Sequence, residues 1–186
     1  MARDSAETLS DTTSTKGLVE IFTGEGKGKT SAALGAIIRA LGHGLRVYIV
    51  FFMKGDFPYG EQKILCQLPN CTVERFGFQE FVDPAHVKPE EKEEARKALG
   101  AARKAMLGLK YDVVILDEVN VAVGWKLIDV NDVVKLIHDK PENVELILTG
   151  RYADQKLIEL ADLVTDMVKI KHPFDKGIKS RKGFEY

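Results

Sequence analysis

The chain has 186 residues, with 27 Lys and Arg against 28 Asp and Glu and a formal net charge of -1 at pH 7. That length suits one domain with a sizeable core. The even charge balance gives no basis for a nucleic-acid face or a membrane surface, so a small-molecule partner is favoured.

Residues 1–16 are rich in Ser, Thr, Asp and Glu and poor in large apolar groups. Such a segment cannot offset its ordering entropy alone and reads as mobile, ahead of a single α/β domain over 17–186. Its polarity is unlike that of a signal peptide, and no apolar run in the chain approaches the roughly 18 residues of a membrane span, so a cytoplasmic location is expected.

From Leu18 to Thr30 the sequence runs Leu-Val-Glu-Ile-Phe-Thr-Gly-Glu-Gly-Lys-Gly-Lys-Thr. An apolar β-branched run, a glycine-rich turn and an Ala-rich segment predict a strand, a phosphate loop and a helix. Glycines let several N–H groups point at one spot, the helix N-terminus adds partial positive charge, and Lys29 adds a full one. Thr30 is placed to put its hydroxyl on a Mg²⁺ bridging the phosphates, and Lys27 and Lys29 are both read as buried phosphate ligands. Thr23 stands where the first glycine of the usual pattern belongs.

The helix carries Ala32, Ala33, Ala36, Ile37, Ala40 and Leu41 at helical spacing, presents Arg39 near its end and stops at Gly42. Arg46 to Met53 is a nearly continuous apolar run, as expected for a strand of a parallel sheet covered on both faces. A loop from Lys54 to Gly60, a helical piece from Glu61 to Leu68 and a strand from Thr72 to Phe76 follow. Cys66 and Cys71, without a second pair, read as two reduced thiols.

Phe76, Phe78 and Phe81 fall in a loop that ends at Asp83-Pro84; as rings they fit either a peripheral core or a ligand surface. A helix from Pro89 has its apolar stripe at Ala95, Leu99, Ala102 and Met106. Asp112-Val-Val-Ile-Leu-Asp117-Glu118 then places two carboxylates at the end of an apolar strand, in the manner of a Walker B strand. In a parallel sheet that end shares an edge with the phosphate loop, so Asp117 and Glu118 are candidates for holding Mg²⁺ or its waters, or for orienting a nucleophile. Asp129 reads as the N-cap of a helix reaching Asp139. A strand from Asn143 ends at Thr149-Gly150-Arg151, where Arg151 is placed either to neutralise a phosphate or to pair with Asp117 or Glu118. A helix over Lys156–Asp162 and a strand over Leu163–Lys171 complete the pattern, and His172 on its own reads as a structural histidine.

Taken together, Phe22-Thr-Gly-Glu-Gly-Lys-Gly-Lys-Thr30, Arg39-Ala-Leu-Gly-His-Gly44, Val114-Ile-Leu-Asp-Glu118, Leu148-Thr-Gly-Arg151 and Lys171-His-Pro-Phe-Asp-Lys-Gly177 resemble the bacterial ATP:corrinoid adenosyltransferase family. The resemblance runs from about Gly17 to the C-terminus. It implies a P-loop NTPase-like (RecA-like) three-layer α/β fold with a mostly parallel sheet of about six strands. It also implies attack of a cobalt(I) corrinoid on the 5′ carbon of ATP, with triphosphate leaving.

By motif, Thr23, Gly24, Glu25, Gly26, Lys27, Gly28, Lys29, Thr30 and Ser31 would bind the nucleotide, with Arg39 and Arg151 near it. Lys27, Lys29 and Glu118 would act on the reaction, and Thr30 and Glu118, with Asp117, would hold the metal. Phe78 and Phe81 would be the aromatics that displace the corrinoid's lower ligand. Here Gly77-Phe78-Gln79-Glu80-Phe81 replaces the family's frequent Gly-Phe-Thr-Trp, Glu25 a frequent Asn and Ser31 a Thr. A homodimer, with residues 1–16 able to cap a neighbouring subunit's site, and an electron-donating flavoprotein reductase are further implications. The other readings of the same residues are a P-loop NTPase that cleaves the γ-phosphate with Glu118 as base, and a nucleotide-binding regulator without catalysis.

Overall fold

The computed structural model describes residues 16–186; the N-terminal expectation lies outside the described residues except at Lys16. Six strands form one sheet in the order β3-β2-β4-β5-β1-β6. They are β1 (Val19–Thr23), β2 (Val47–Phe51), β3 (Cys71–Arg75), β4 (Val113–Asp117), β5 (Glu145–Thr149) and β6 (Leu163–Asp166). Every pairing is parallel. β2 and β4 are buried at all positions, which explains why their sequences are apolar without alternation.

Helices cover both faces. On one, α1 (Lys29–Gly42) and α2 (Gly60–Leu65) bring Ala33, Ile37 and Leu65 against Val47, Ile49, Phe51, Ile115 and Ile147. On the other lie α3 (Pro89–Leu107), α4 (Val119–Gly124), α5 (Val130–His138) and α6 (Gln155–Leu160), whose Ala98, Ala102, Val119, Leu136 and Leu157 pack over Ile21, Val50, Leu116, Leu146 and Leu148. The three-layer expectation holds. No helix among the described residues is long and apolar enough to cross a membrane, and Cys66 and Cys71 are free.

One element lies where the sequence reading assigned none, and another ends earlier than expected. Val119–Gly124 forms a helix although three of its six residues are valine, because burial of Val119, Val121, Ala122 and Val123 outweighs a β-branched preference for strand. The last strand stops at Asp166 rather than continuing to Lys171. There the backbone turns onto the phosphate loop: Met167 N–H donates to Thr23 O at 2.9 Å and Met167 O accepts from Gly26 N–H at 2.6 Å. Beyond it, a 3-10 turn covers Pro173–Lys176.

The topology brings four strand ends to one edge. β5 separates β1 from β4, so the loop after β1, Asp117 and Glu118 after β4, Thr149 at the end of β5 and Lys54 just past β2 converge at the carboxyl edge of the sheet.

Candidate functional site

The phosphate loop is shaped by its neighbours as much as by its glycines. Gly24 has φ +99°, and a Cβ there would lie 2.1 Å from Asp166 Oδ1; at Gly26 it would lie 2.5 Å from Met167 O. Only glycine allows the loop to sit this close to the end of β6. Lys29 opens α1 and is buried, with Nζ donating to Gly24 O at 2.7 Å and Gly26 O at 2.6 Å. Burial lowers its pKa, Arg151 adds to that, and Glu118, Glu25 and Asp117 oppose it. A bound polyanion would relieve the desolvated charge.

Lys27 is not buried. Its ammonium donates to Phe184 O and Glu185 Oε1, both at 2.8 Å, with 47 % of the side chain exposed. Arg181 also grips Glu185, and these contacts hold its carboxyl well below the usual range, at about 2. Residues Gly183–Tyr186 therefore lie along the loop's cleft, and the Tyr186 ring meets Phe57 at 5.3 Å. An exposed pair of this kind contributes little to stability, so it leaves Lys27 available to an anion in the cleft.

Asp117 is fully buried and both of its oxygens are engaged: Lys54 Nζ donates to Oδ2 at 2.6 Å and Thr149 Oγ1 donates to Oδ1 at 2.7 Å. Expected as a metal ligand, it has both oxygens taken up by protein donors here and anchors a buried ion pair. Burial works against the Lys54 charge, but Asp117 and then Glu118 raise its pKa above the ordinary lysine value. Glu118 follows in a left-handed conformation, φ 67°, with its N–H held by Thr149 Oγ1 at 2.9 Å. That conformation is uncommon for a non-glycine residue and is fixed here by its surroundings. The Glu118 carboxyl accepts no hydrogen bond among the described residues and faces the cleft. Burial, then Asp117, raise its pKa, while Lys54, Lys29 and Arg151 pull the other way.

Two adjoining clefts meet at these residues. The larger, about 560 Å³, is lined by Gly26 to Ser31 together with Lys54, Tyr59, Glu118, Arg151, His172 and the Gly183–Tyr186 segment. The smaller, about 260 Å³, is lined by Phe52, Met53, Phe81, Val82, Val121, Trp125 and Tyr152. Lys29, Lys54, Tyr59, Glu118 and Arg151 line both.

Thr30 and Glu118 thus supply hard oxygens to one cleft. Among the described residues no group of three or more His, Cys, Asp or Glu is arranged to hold a metal. A cation there would complete its shell with phosphate oxygens and water, which suits Mg²⁺.

The remaining expected residues divide. Arg151 lies 3.6 Å from Glu25 rather than on Asp117 or Glu118. Thr23 ends β1, where its hydroxyl accepts from Ala153 N–H at 3.4 Å, and Thr23, Gly24 and Glu25 do not line the cleft. Arg39 is exposed in the last turn of α1, about 15 Å along the axis from Lys29 at about 1.5 Å per residue, and lines neither cleft. Phe81, 78 % exposed, borders the smaller cleft and meets Phe57 at 5.8 Å; Phe78, 47 % exposed, does not line it. His172 accepts from Phe174 N–H through Nδ1 and so caps the 3-10 turn, a structural role.

Sequence reasoning missed Lys54, Tyr59, Thr149, Trp125 and the Glu185–Tyr186 segment. Lys54 had a signal, as the charge that directly follows the buried β2 run on the ligand edge.

Comparison with known proteins agrees with this geometry. The model of the family described as ATP:corrinoid adenosyltransferase BtuR/CobO/CobP matches residues 15–186. A corrinoid adenosyltransferase of a Sinorhizobium species is 37 % identical over 176 residues, spanning 94 % of this chain and 82 % of the relative. That of Escherichia coli K12 is 33 % identical over 171 residues, spanning 92 % and 86 %. The corrinoid adenosyltransferase CobA of Salmonella typhimurium is 32 % identical over 175 residues, again spanning 92 % and 86 %. Among solved structures, the cytoplasmic domain of EssC superposes with a TM-score of 0.53 at 18 % identity, over 89 % of this chain and 34 % of that one, a likeness of fold alone. With the phosphate loop, the paired carboxylates and a family match over nearly the whole sequence, this chain belongs to the ATP:corrinoid adenosyltransferases, a family of transferase enzymes.

Proposed function

We propose that this enzyme transfers the 5′-deoxyadenosyl group of ATP to the cobalt(I) of a corrinoid and releases triphosphate, in adenosylcobalamin synthesis and salvage. The observation that carries the reading is the shared wall of the two clefts: a polar one at the phosphate loop opens directly into an apolar one edged by Phe81, Trp125 and Tyr152. Hydrolysis of a γ-phosphate needs no such second chamber.

The loop's work is to stabilise a leaving group. A triphosphate carries about four negative charges, and backbone N–H groups, Lys29 and Lys27 preorganised around it lower the barrier electrostatically. Mg²⁺, held from the protein by Thr30 and Glu118, would neutralise phosphate charge. No protein base is required, because the nucleophile is the cobalt electron pair. Phe81 is the aromatic best placed to meet a corrin face. The same reading includes one domain over 17–186, a cytoplasmic enzyme, a flavoprotein reductant for the cobalt, and a homodimer. The edge strand β6, partly exposed at Leu163 and Val164, and the exposed Val168, Ile170 and Phe174 beyond it supply apolar surface for a second subunit.

The reading is tested by supplying ATP and a chemically reduced corrinoid and following the absorption change of cobalt–carbon bond formation. The native chain should give it, and Lys29→Ala should slow it by a factor of about 10² to 10³; near-native rates in that variant would remove the loop from the chemistry.

Glu118 gives a prediction with a sign. Its folded pKa is raised above the unfolded value of 4.5, so its stabilising contribution is complete below that pH and is lost as pH rises through the raised folded value. Glu118→Gln should therefore be at least as stable as the native chain at neutral pH without ligands, with the difference closing toward pH 4.5. It should also need more Mg²⁺ for half-maximal rate. A variant less stable at neutral pH with unchanged Mg²⁺ dependence would contradict both roles.

For the aromatics, Phe81→Ala should impair turnover when the corrinoid is supplied as cobalt(II) with a reductase and largely spare it when supplied as cobalt(I), while Phe78→Ala has the smaller effect. Equal losses in the two assays, together with a lower melting temperature, would assign Phe81 to packing.

A further inference from the structure

Of the cations at the junction of the two clefts, Lys29 is turned into the loop, where it donates to the Gly24 and Gly26 carbonyls. Arg151 is exposed and lies toward Glu25. Lys54 alone is fixed at the wall itself. Its side chain is 9 % exposed, Nζ is held by Asp117 at 2.6 Å, and the ammonium rests 5.1 Å from the Phe51 centroid and 4.8 Å from that of Tyr59. Asp117 is in turn fixed by Thr149, so the ammonium is preorganised. One N–H goes to Asp117, and the residue lines both clefts.

We infer that Lys54 is a catalytic residue that donates a charge-assisted hydrogen bond to the oxygen released from C5′, a role resting on the proposed adenosyl transfer. If triphosphate fills the polar cleft and the corrinoid covers the apolar one, the bond that breaks lies at their shared wall. Cobalt(I) supplies the electron pair of the new Co–C5′ bond, and the C5′–O5′ pair departs on O5′ of triphosphate. Negative charge therefore grows on that oxygen while no proton is transferred. A fixed, largely buried cation aimed at developing charge acts in the transition state more than in the ground state. The buried Asp117 aims that cation instead of holding metal, which explains why a second carboxylate precedes Glu118.

The test must separate this role from that of a partner for buried Asp117. In Lys54→Met/Asp117→Asn both charges are removed, and Asn retains an acceptor for Thr149. Lys54→Gln keeps a neutral donor for Asp117. With ATP and cobalt(I) corrinoid, the double variant should keep a melting temperature near that of the native chain, whereas Lys54→Gln, which leaves Asp117 without a cation, should melt lower; in both, the ATP KM should stay within about threefold while kcat falls about 10² to 10³-fold, the usual loss for one such donor. A kcat within about threefold of native in a variant that melts normally would overturn the role and leave Lys54 as a structural counter-charge. Recovery of the double variant relative to Lys54→Met alone, in kcat as well as in melting temperature, would do the same. Absence of adenosylation by the native chain would overturn the functional reading and this inference with it; a normal native rate beside an unimpaired double variant would overturn the role of Lys54 only.

Discussion

The buried pair between Lys54 and Asp117 is the contact on which the ligand edge of the sheet depends. It joins the ends of β2 and β4, and through Thr149 it reaches β5, so three strand ends share one set of hydrogen bonds. The Thr149 hydroxyl donates to Asp117 and also accepts from the backbone of Glu118. Losing one member of such a pair strands an ion in a dry interior, at a cost of about 3 to 5 kcal/mol. The pair also sets the electrostatics around it: Lys54 opposes the rise in the Glu118 pKa that burial and Asp117 impose. Glu118 is thereby left facing the cleft with its oxygens uncommitted among the described residues.

The phosphate loop is held from its other side by β6. Gly24 and Gly26 approach Asp166 and Met167 too closely for any side chain, and the hydrogen bonds of Met167 to Thr23 and Gly26 fix where the strand stops. The Gly183–Tyr186 segment then lies along the cleft and gives Lys27 a carboxylate from Glu185. The charges around the loop, buried Lys29 above all, are poorly compensated by protein alone. That imbalance is what a polyanionic ligand would correct.

The central strands were legible because they are buried on both faces: β2 and β4 admit no charged side chain before Lys54 and Asp117, and their apolar runs say so directly. The loop was legible because its glycines and Lys29 serve local geometry. What escaped depends on contacts distant in sequence. The end of β6 is decided by a loop about 140 residues earlier, and α4 is helical through burial against the preference of its valines. Lys54 reads as an ordinary loop lysine until Asp117 is seen across the sheet edge. Lys27 and Lys29 look alike in the sequence, yet Lys29 opens α1 and folds back onto the loop carbonyls of Gly24 and Gly26, whereas Lys27, still in the loop, reaches outward to Phe184 and Glu185. Phe78 and Phe81 also look alike in the sequence, and only the latter reaches the apolar cleft.

The central claim is that the loop stabilises a departing triphosphate and not a γ-phosphate under attack by water. The fate of the ATP phosphates, followed by phosphorus NMR with and without a cobalt(I) corrinoid, decides it. Intact triphosphate appearing in step with adenosylated corrinoid, and only when corrinoid is present, is the predicted result. ADP and orthophosphate formed at the same rate without corrinoid would contradict it.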